Sequence, residues 1–359
     1  MSPRHEPPAR RRPWTAGVSS HLFPLLPFPV FPGPRIPTKR HTKVLNVTAG
    51  LSRVKRARVP GPGVESAVVD DTKKSALLSE ASLLSAAFAL GTNPVAVKYA
   101  VGYVPALPFV ALRFTAAGLV LLVLLLFLKQ GIRVRRKDLL PMAGLGLVGV
   151  GLNNVLFTWG VDLTSASNTA LIYATPPLWG MLLGFTLGLE RPKVRGILGI
   201  LLAMLGVGII VYGGLSSGGL AGNLLVSGAA VCWGMYTALS IFMLRRYSPL
   251  VVAAYTMLVA GLAVLPFAYP DIARADWGTV SAGAWAATAY SAFFVAAFGF
   301  SAWQWGISRI GANRVLVYQY LITLTGVVAS VLVLGESLGV NQFIGAAVIF
   351  CGVYLGRRQ

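Results

Sequence analysis

Charge is scarce in this chain, and negative charge scarcest: 11 Asp and Glu stand against 31 Lys and Arg, and all charged residues together make up 12% of the 359 positions. Ordinary soluble domains carry about 25%. The three histidines, His5, His21 and His41, all precede the apolar part of the chain, and Cys232 and Cys351 sit singly inside apolar runs. That leaves no disulfide framework and no cysteine metal site. Without paired acids or a histidine in the apolar region, neither a metal cluster nor a nucleophile with its base is available for hydrolysis, so an enzyme, a metal and a cofactor are not expected. A GxxxxGK[ST] phosphate loop is missing as well, which excludes direct drive by ATP. No Asp, Glu or His lies deep in an apolar run, so the carboxylate or histidine relay of many proton-driven pumps is also lacking. The nearest exception, Glu80, stands where a helix begins and needs no other role.

What is present is apolar length. Hydrophobic residues make up 55% of the chain, and ten spans can be read at 78–101, 106–128, 139–161, 165–187, 194–212, 220–244, 250–269, 282–307, 312–334 and 341–355. Each is close to the roughly 20 residues that cross a bilayer core as helix. The expected class is therefore an all-α polytopic membrane protein. The net charge of +20 is divided between an N-terminal tail and short loops, so membrane lipid rather than nucleic acid is the expected partner.

Residues 1–75 differ in material: they are rich in Pro, Arg and Lys and nearly free of acids before Glu65. Such a segment buries too little apolar surface to fold, and a disordered basic tail is expected. Its patch HLFPLLPFPVFP is short and broken by proline, unlike the unbroken core of a signal peptide. No Met occurs between Met1 and Met142. A start at a non-Met codon such as that of Val64 is one reading of the tail, and a basic organelle-targeting segment is its rival.

The chain looks duplicated. NTALIYATPPLWGMLLGFTLGLER (168–191) has an echo in NRVLVYQYLITLTGVVASVLVLGE (313–336), matching Asn168 to Asn313 and Tyr173 to Tyr318 and, after a one-residue gap, Glu190 to Glu336. Trp159-Gly160 lines up with Trp305-Gly306, and Gly91 with Gly234. Five spans lie on each side of Gly213, an odd number, so the second half is expected to enter the membrane inverted, with a site between the halves. Alternate loops carry Lys129, Arg133, Arg135, Arg136 and Lys137, then Arg191, Lys193 and Arg195, then Arg245 and Arg246, then Arg309 and Arg314, with Arg357 and Arg358 at the end; the other set offers only Arg274. Lys and Arg stay on the cytoplasmic side, which puts both termini there.

The runs GTNPVAVKYAVGYVPALPFVALRF (91–114), TSASNTALIYATPPLWGMLLGFTLGLERP (164–192) and WGISRIGANRVLVYQYLITLTGVVASVLVLGESLG (305–339) resemble the paired EamA repeats of the drug/metabolite transporter superfamily over residues 76–356. The resemblance implies ten transmembrane helices as two inverted five-helix repeats, 76–213 and 219–356, in a secondary transporter that often exports amino acids or other small metabolites. A bacterial inner membrane is the implied location, and a homodimer is among the states it allows. Sugar-phosphate or nucleotide-sugar exchange, a channel, and a membrane receptor or scaffold are the alternatives.

Polar residues stranded in apolar spans are the candidates for cargo contact: Asn93, Tyr173, Thr175, Tyr236, Gln304, Tyr318, Gln319 and Thr323. Asn153, Asn154, Trp233 and Trp303 are further possibilities of the same kind, while Trp159 and Trp305 sit where interfacial anchors do. Pro176 and Pro177 remove donors and free the carbonyls of Ile172 and Tyr173, so a kink is expected there, and another at Pro94. Lys98 and Arg113 are the basic residues well inside spans; snorkelling or bonding to helix-end carbonyls is one reading and anion attraction the other. The hydroxyls, amides and rings of this set suit a small neutral, zwitterionic or weakly charged cargo.

Overall fold

Small residues inside and large apolar residues outside organise this protein. The computed structural model describes residues 62–187, 194–216, 219–315 and 318–357, and every regular element among them is helical. Alanines such as Ala86, Ala87, Ala111, Ala117, Ala253, Ala254 and Ala260 are fully buried, whereas Leu126, Phe127, Leu201, Phe267 and Leu332 face outward. Lipid tails are as apolar as leucine, so such helices gain from close contact of small residues, with Phe109, Phe114, Tyr236 and Trp303 filling the remaining interior.

The helices group into ten rods: α1 (Pro62–Val101), α2 (Ala106–Phe127), α3 (Arg136–Leu163), α4a (Ala166–Ile172) with α4b (Pro176–Thr186), α5 (Val194–Ser216), α6 (Leu220–Leu244), α7 (Pro249–Arg274), α8 (Ala282–Ile310), α9a (Ala312–Val315) with α9b (Gln319–Leu334), and α10 (Val340–Arg357). Serines placed just before α4a, α7 and α8 cap them: Ser165, Ser248 and Ser281 accept from the backbone N–H of Asn168, Val251 and Ala284. At the other ends, Gly311 (φ 83°) stops α8 and Gly335 (φ 65°) stops α9b, both at a positive φ that glycine tolerates, Gly335 in the left-handed helical conformation.

Among the described residues six helices, α2, α3, α5, α6, α7 and α8, are long and apolar enough by themselves to cross a membrane, out of the ten spans read from sequence. Two of the remaining rods, α4 and α9, are interrupted, and α1 mixes its apolar stretch with charged residues. At the tail, α1 begins at Pro62 and takes in residues 62–75. Proline is preorganised for a first helical position. Residues 1–61, the rest of the expected tail, lie outside the described residues, as do Glu190 and Arg191.

Packing respects the duplication. α1 lies against α9b and α6 against α4b; α3 meets α6 while α8 meets α1; α3 meets α7 while α8 meets α2; α2 pairs with α7 and α5 with α10. Exchanging the halves maps each of these pairs onto another or onto itself. The matched glycines explain part of this. A Cβ on Gly91 would sit 2.6 Å from the Ile322 carbonyl of α9b, and one on Gly234 would sit 2.6 Å from the Pro176 carbonyl of α4b. Both α3 and α8 also widen to π-helix, over Leu145–Leu152 and Tyr290–Phe300, a feature often found at functional sites.

Candidate functional site

Proline chemistry starts the site. The Thr175-Pro176-Pro177 run does more than kink the fourth rod: it breaks it, with Tyr173–Thr175 as a turn between α4a and α4b. The freed Ile172 carbonyl accepts from the Thr175 N–H at 3.1 Å and the Thr175 hydroxyl at 2.8 Å. The freed Tyr173 carbonyl accepts from Nε2 of Gln319, in the other half, at 2.7 Å. Oε1 of that same amide accepts from the indole of Trp233 at 3.3 Å. The first half's broken backbone is thus completed by the second half's side chain, as an apolar surrounding requires. At Pro94, by contrast, α1 continues without a break.

Tyr173 is fixed at its other end too. Nδ2 of Asn153 donates to the Tyr173 hydroxyl at 2.7 Å and to the Ala229 carbonyl at 2.6 Å, while Nδ2 of Asn154 donates to Oδ1 of Asn153 at 3.0 Å. The ring of Phe157 meets that of Tyr173 edge-on at 5.1 Å.

Between these groups lies a cavity of about 40 Å³ lined by Leu90, Asn93, Pro94, Asn153, Asn154, Phe157, Ala170, Tyr173, Trp233, Phe300, Gln319 and Ile322. A water in liquid occupies about 30 Å³, whereas sites for small molecules enclose about 300–1,000 Å³. The lining offers amides, a phenol, an indole and phenyl faces, which bond and stack but carry no fixed charge.

Of the sequence candidates, Asn93, Tyr173 and Gln319 meet at this cavity; Asn153, Asn154 and Trp233 join them. Phe157 and Phe300 were not singled out by sequence. The remaining candidates stand elsewhere. The Thr175 hydroxyl caps its own turn and accepts from the Trp179 indole at 3.2 Å. Tyr236 is buried behind Trp233, its hydroxyl 3.3 Å from that of Thr256. Gln304 and Thr323 are buried outside the lining, with side-chain polar atoms lacking a hydrogen-bond partner. Tyr318 is half-buried in the turn before α9b and does not line the cavity.

The two cations inside the spans, half-buried Lys98 and buried Arg113, are placed very differently. Nζ of Lys98 donates to the carbonyls of Val161, Asp162 and Thr164 at 2.7, 2.8 and 2.7 Å, closing the C-terminus of α3. Each of its three protons has an acceptor, so binding an anion directly would require giving one up. Arg113 does not snorkel: it is 1% exposed. Its Nε donates to the Ser291 carbonyl at 3.1 Å, and its guanidinium carbon lies 4.6 Å from the Phe114 ring centroid. Nη1 and Nη2 have no partner. A charged side chain at the centre of a bilayer costs about 2.5–3.5 kcal/mol or more, and a cation over a ring returns about 0.5–2 kcal/mol.

A wider vestibule of about 680 Å³ opens at the end where Lys98 lies, bounded by Asp162, Thr164, Ser165, Asn168, Glu336 and Gln342 among others. There the carboxylate of Glu336 accepts from the N–H groups of Ala166 and Ser167 at 2.9 and 2.8 Å and from the Ser167 hydroxyl at 2.6 Å. Gln342 donates to Asn168 at 2.8 Å. At the opposite end Asp138 pairs with Arg246 and accepts from the Tyr247 hydroxyl at 2.7 Å. Each set joins the two halves. Among the described residues no three His, Cys, Asp or Glu side chains converge to hold a metal.

Comparison with known proteins gives this geometry a context. Residues 77–212 and 220–357 each match the EamA-like transporter family. The chain is similar to an uncharacterized transporter of Bacillus subtilis, YyaM, at 30% identity over 265 residues, which covers 71% of this chain and 86% of that protein. A second, YetK of the same organism, is 27% identical over 280 residues, 76% of this chain and 85% of its own. A Streptantibioticus cattleyicolor protein described as a "probable terminal-alkyne amino-acid exporter" is 29% identical over 227 residues, covering 63% and 76%. A solved crystal structure superposes with a TM-score of 0.57 over 77% of this chain and 97% of its own at 20% identity, a likeness of fold.

Proposed function

The chain belongs to the EamA-like transporter family, and from that premise we propose that it is a secondary active transporter of small metabolites, amino acids or related neutral or zwitterionic compounds, working by alternating access. The observation that carries this reading is the hydrogen bond from Gln319 of the second half to the Tyr173 carbonyl that proline frees in the first. Broken helices facing one another at a repeat interface are where transporters of this construction hold cargo. Asn93, Asn153, Tyr173, Trp233 and Gln319 form the contact set in this proposal, with Thr175, Tyr236, Gln304, Tyr318 and Thr323 behind them. A cavity of about 40 Å³ is too small for a metabolite, so cargo enters when the halves part at one end. The Glu336–Ser167 and Asp138–Arg246 contacts are suited to opening in turn.

The same proposal takes all ten rods as spans and the halves as inverted, a reading supported by the exchange of packing partners and by the loop charges. It places the protein in a bacterial inner membrane with both termini cytoplasmic. An amino-acid exporter among the relatives favours amino acids as the first compounds to try. Sugar-phosphate exchange has less support, because no Lys or Arg lines the cavity and the single Arg113 near it carries too little charge to balance a phosphate dianion. The test is flux into proteoliposomes containing the purified chain. Saturable uptake of an amino acid, weakened about tenfold in Gln319→Ala through the loss of two hydrogen bonds, is the expected result. Non-saturable flux would indicate a channel, and binding without flux a receptor.

A further inference from the structure

We propose that Arg113 is the carboxylate-receiving group of the transport path, so that the cargo is a small compound bearing a carboxylate; this rests on the transporter reading above. Arg113 is a buried cation whose hydrogen bonding is incomplete. Only Nε has a hydrogen-bond acceptor, the Ser291 carbonyl, while Nη1 and Nη2 are buried with none. No carboxylate among the described residues pairs with it; the described ion pair, Asp138 with Arg246, joins the start of α3 to the turn after α6. Lys98 supplies the contrast, since its three carbonyls complete it as a structural cation. The rings of Phe109 and Phe114, 5.8 and 4.6 Å from the guanidinium carbon, hold the Arg113 cation in place but give its N–H groups nothing to bond.

Position links this incomplete group to the cavity by two routes. Ser291, whose carbonyl holds Nε, donates its own hydroxyl to Oδ1 of Asn93 at 2.8 Å, and Asn93 lines the cavity. Phe114, beneath the guanidinium, meets Phe300 edge-on at 5.9 Å, and Phe300 lines the cavity as well. Arg113 therefore stands one residue behind the wall, at the π-helical part of α8 that carries both Ser291 and Phe300. A carboxylate presents two oxygens to a planar fork, the pairing for which guanidinium is best suited, and burial strengthens it. The second half holds Thr256 at the matching place, where the hydroxyl already donates to the Val252 carbonyl at 2.8 Å. The receptor is therefore single, and it fits one carboxylate per cargo.

Uptake into proteoliposomes of leucine against leucinamide, and of phenylalanine against phenylalaninamide, tests this with the full-length protein. The wild type should prefer the acid over the amide by about ten- to a hundredfold in the concentration giving half-maximal flux, the scale of a charge-assisted hydrogen-bond pair. In Arg113→Gln the preference should vanish while amide uptake persists, and Arg113→Lys should restore part of it. Saturable flux of both members without discrimination by the wild type, or an undiminished preference in Arg113→Gln, overturns the proposal and leaves the transporter reading standing. No saturable flux of any member removes both. The wild-type comparison needs no variant, so a poorly folding Arg113→Gln leaves the proposal open to refutation.

Discussion

The two halves share a scaffold but not a chemistry. At the spacing that matches Gly91 to Gly234, Leu90 falls on Trp233, and at the spacing that matches Trp159 to Trp305, Asn154 falls on Phe300. All four of these residues line the cavity. Asn93, however, falls on Tyr236, which sits behind the wall, and Tyr173 on Tyr318, which does not reach it. The first half contributes most of the polar lining, through Asn93, Asn153, Asn154 and Tyr173. The second contributes aromatic faces from Trp233 and Phe300, with Gln319 as its polar contact. Duplication has kept what close packing demands, the glycines and the breaks, and has let the cavity surface diverge, because only the former is constrained on both sides by the same helix approach.

An all-or-none measurement tests whether the halves are inverted. Reporters fused after Tyr212 and after Gln359 should report opposite sides of the membrane, with Gln359 cytoplasmic; the same side for both would end the proposed inversion and the comparison with it.

The next largest effect should come from the matched glycines. Gly91→Leu and Gly234→Leu each drive a side chain into a carbonyl of the facing broken rod, and overpacking of this kind costs about 1–3 kcal/mol, at times more. Both variants should lose the monodisperse peak in detergent chromatography. A tolerated Gly234→Leu beside a failing Gly91→Leu would show that only one of the two approaches is tight.

Matched tyrosines should then separate. Tyr173→Ala leaves Asn153 without a partner it now bonds, with an expected loss of about tenfold in transport affinity or rate, on the scale of 1–3 kcal/mol for an orphaned buried group. Tyr318→Ala should change flux clearly less, since Tyr318 does not line the cavity. Equal losses in the two would restore the symmetric site that the cavity lining argues against.

The smallest effect belongs to Glu336. Its carboxylate bonds the first N–H groups of α4a, so Glu336→Gln should lower thermal stability by about 0.5–2 kcal/mol, the scale of losing a helix cap. An unchanged melting temperature would mean that this inter-half contact contributes nothing to the conformation described.

Much of the frame was legible in the sequence. Apolar length, loop charge and the repeated TALIYATPP and VLVYQYLIT patterns marked membrane helices in two copies, because those features depend only on local composition and spacing. Asn93, Tyr173 and Gln319 were recognisable at the site as polar side chains in apolar surroundings, where an unneeded amide is costly. Phe157 and Phe300 were not, since a phenylalanine in a membrane helix gives no sign of whether it faces lipid, a neighbour or a cavity.

By itself, then, the sequence determined that the chain is a duplicated set of apolar helices and that the fourth rod is disturbed at Pro176-Pro177, since proline lacks its backbone donor whatever surrounds it; that this becomes a break there, while α1 runs on through Pro94, was decided by the fold. Tertiary structure decided which faces meet. The π-helical widening of α3 and α8 turns their later residues relative to the earlier ones, and in helices apolar on every side no periodicity records that turn. Only tertiary packing decided that Gln319 completes the Tyr173 carbonyl across the halves and that Lys98 is fully bonded within its own half while Arg113 is not, because each depends on a partner more than sixty residues away in the chain or on the lack of one.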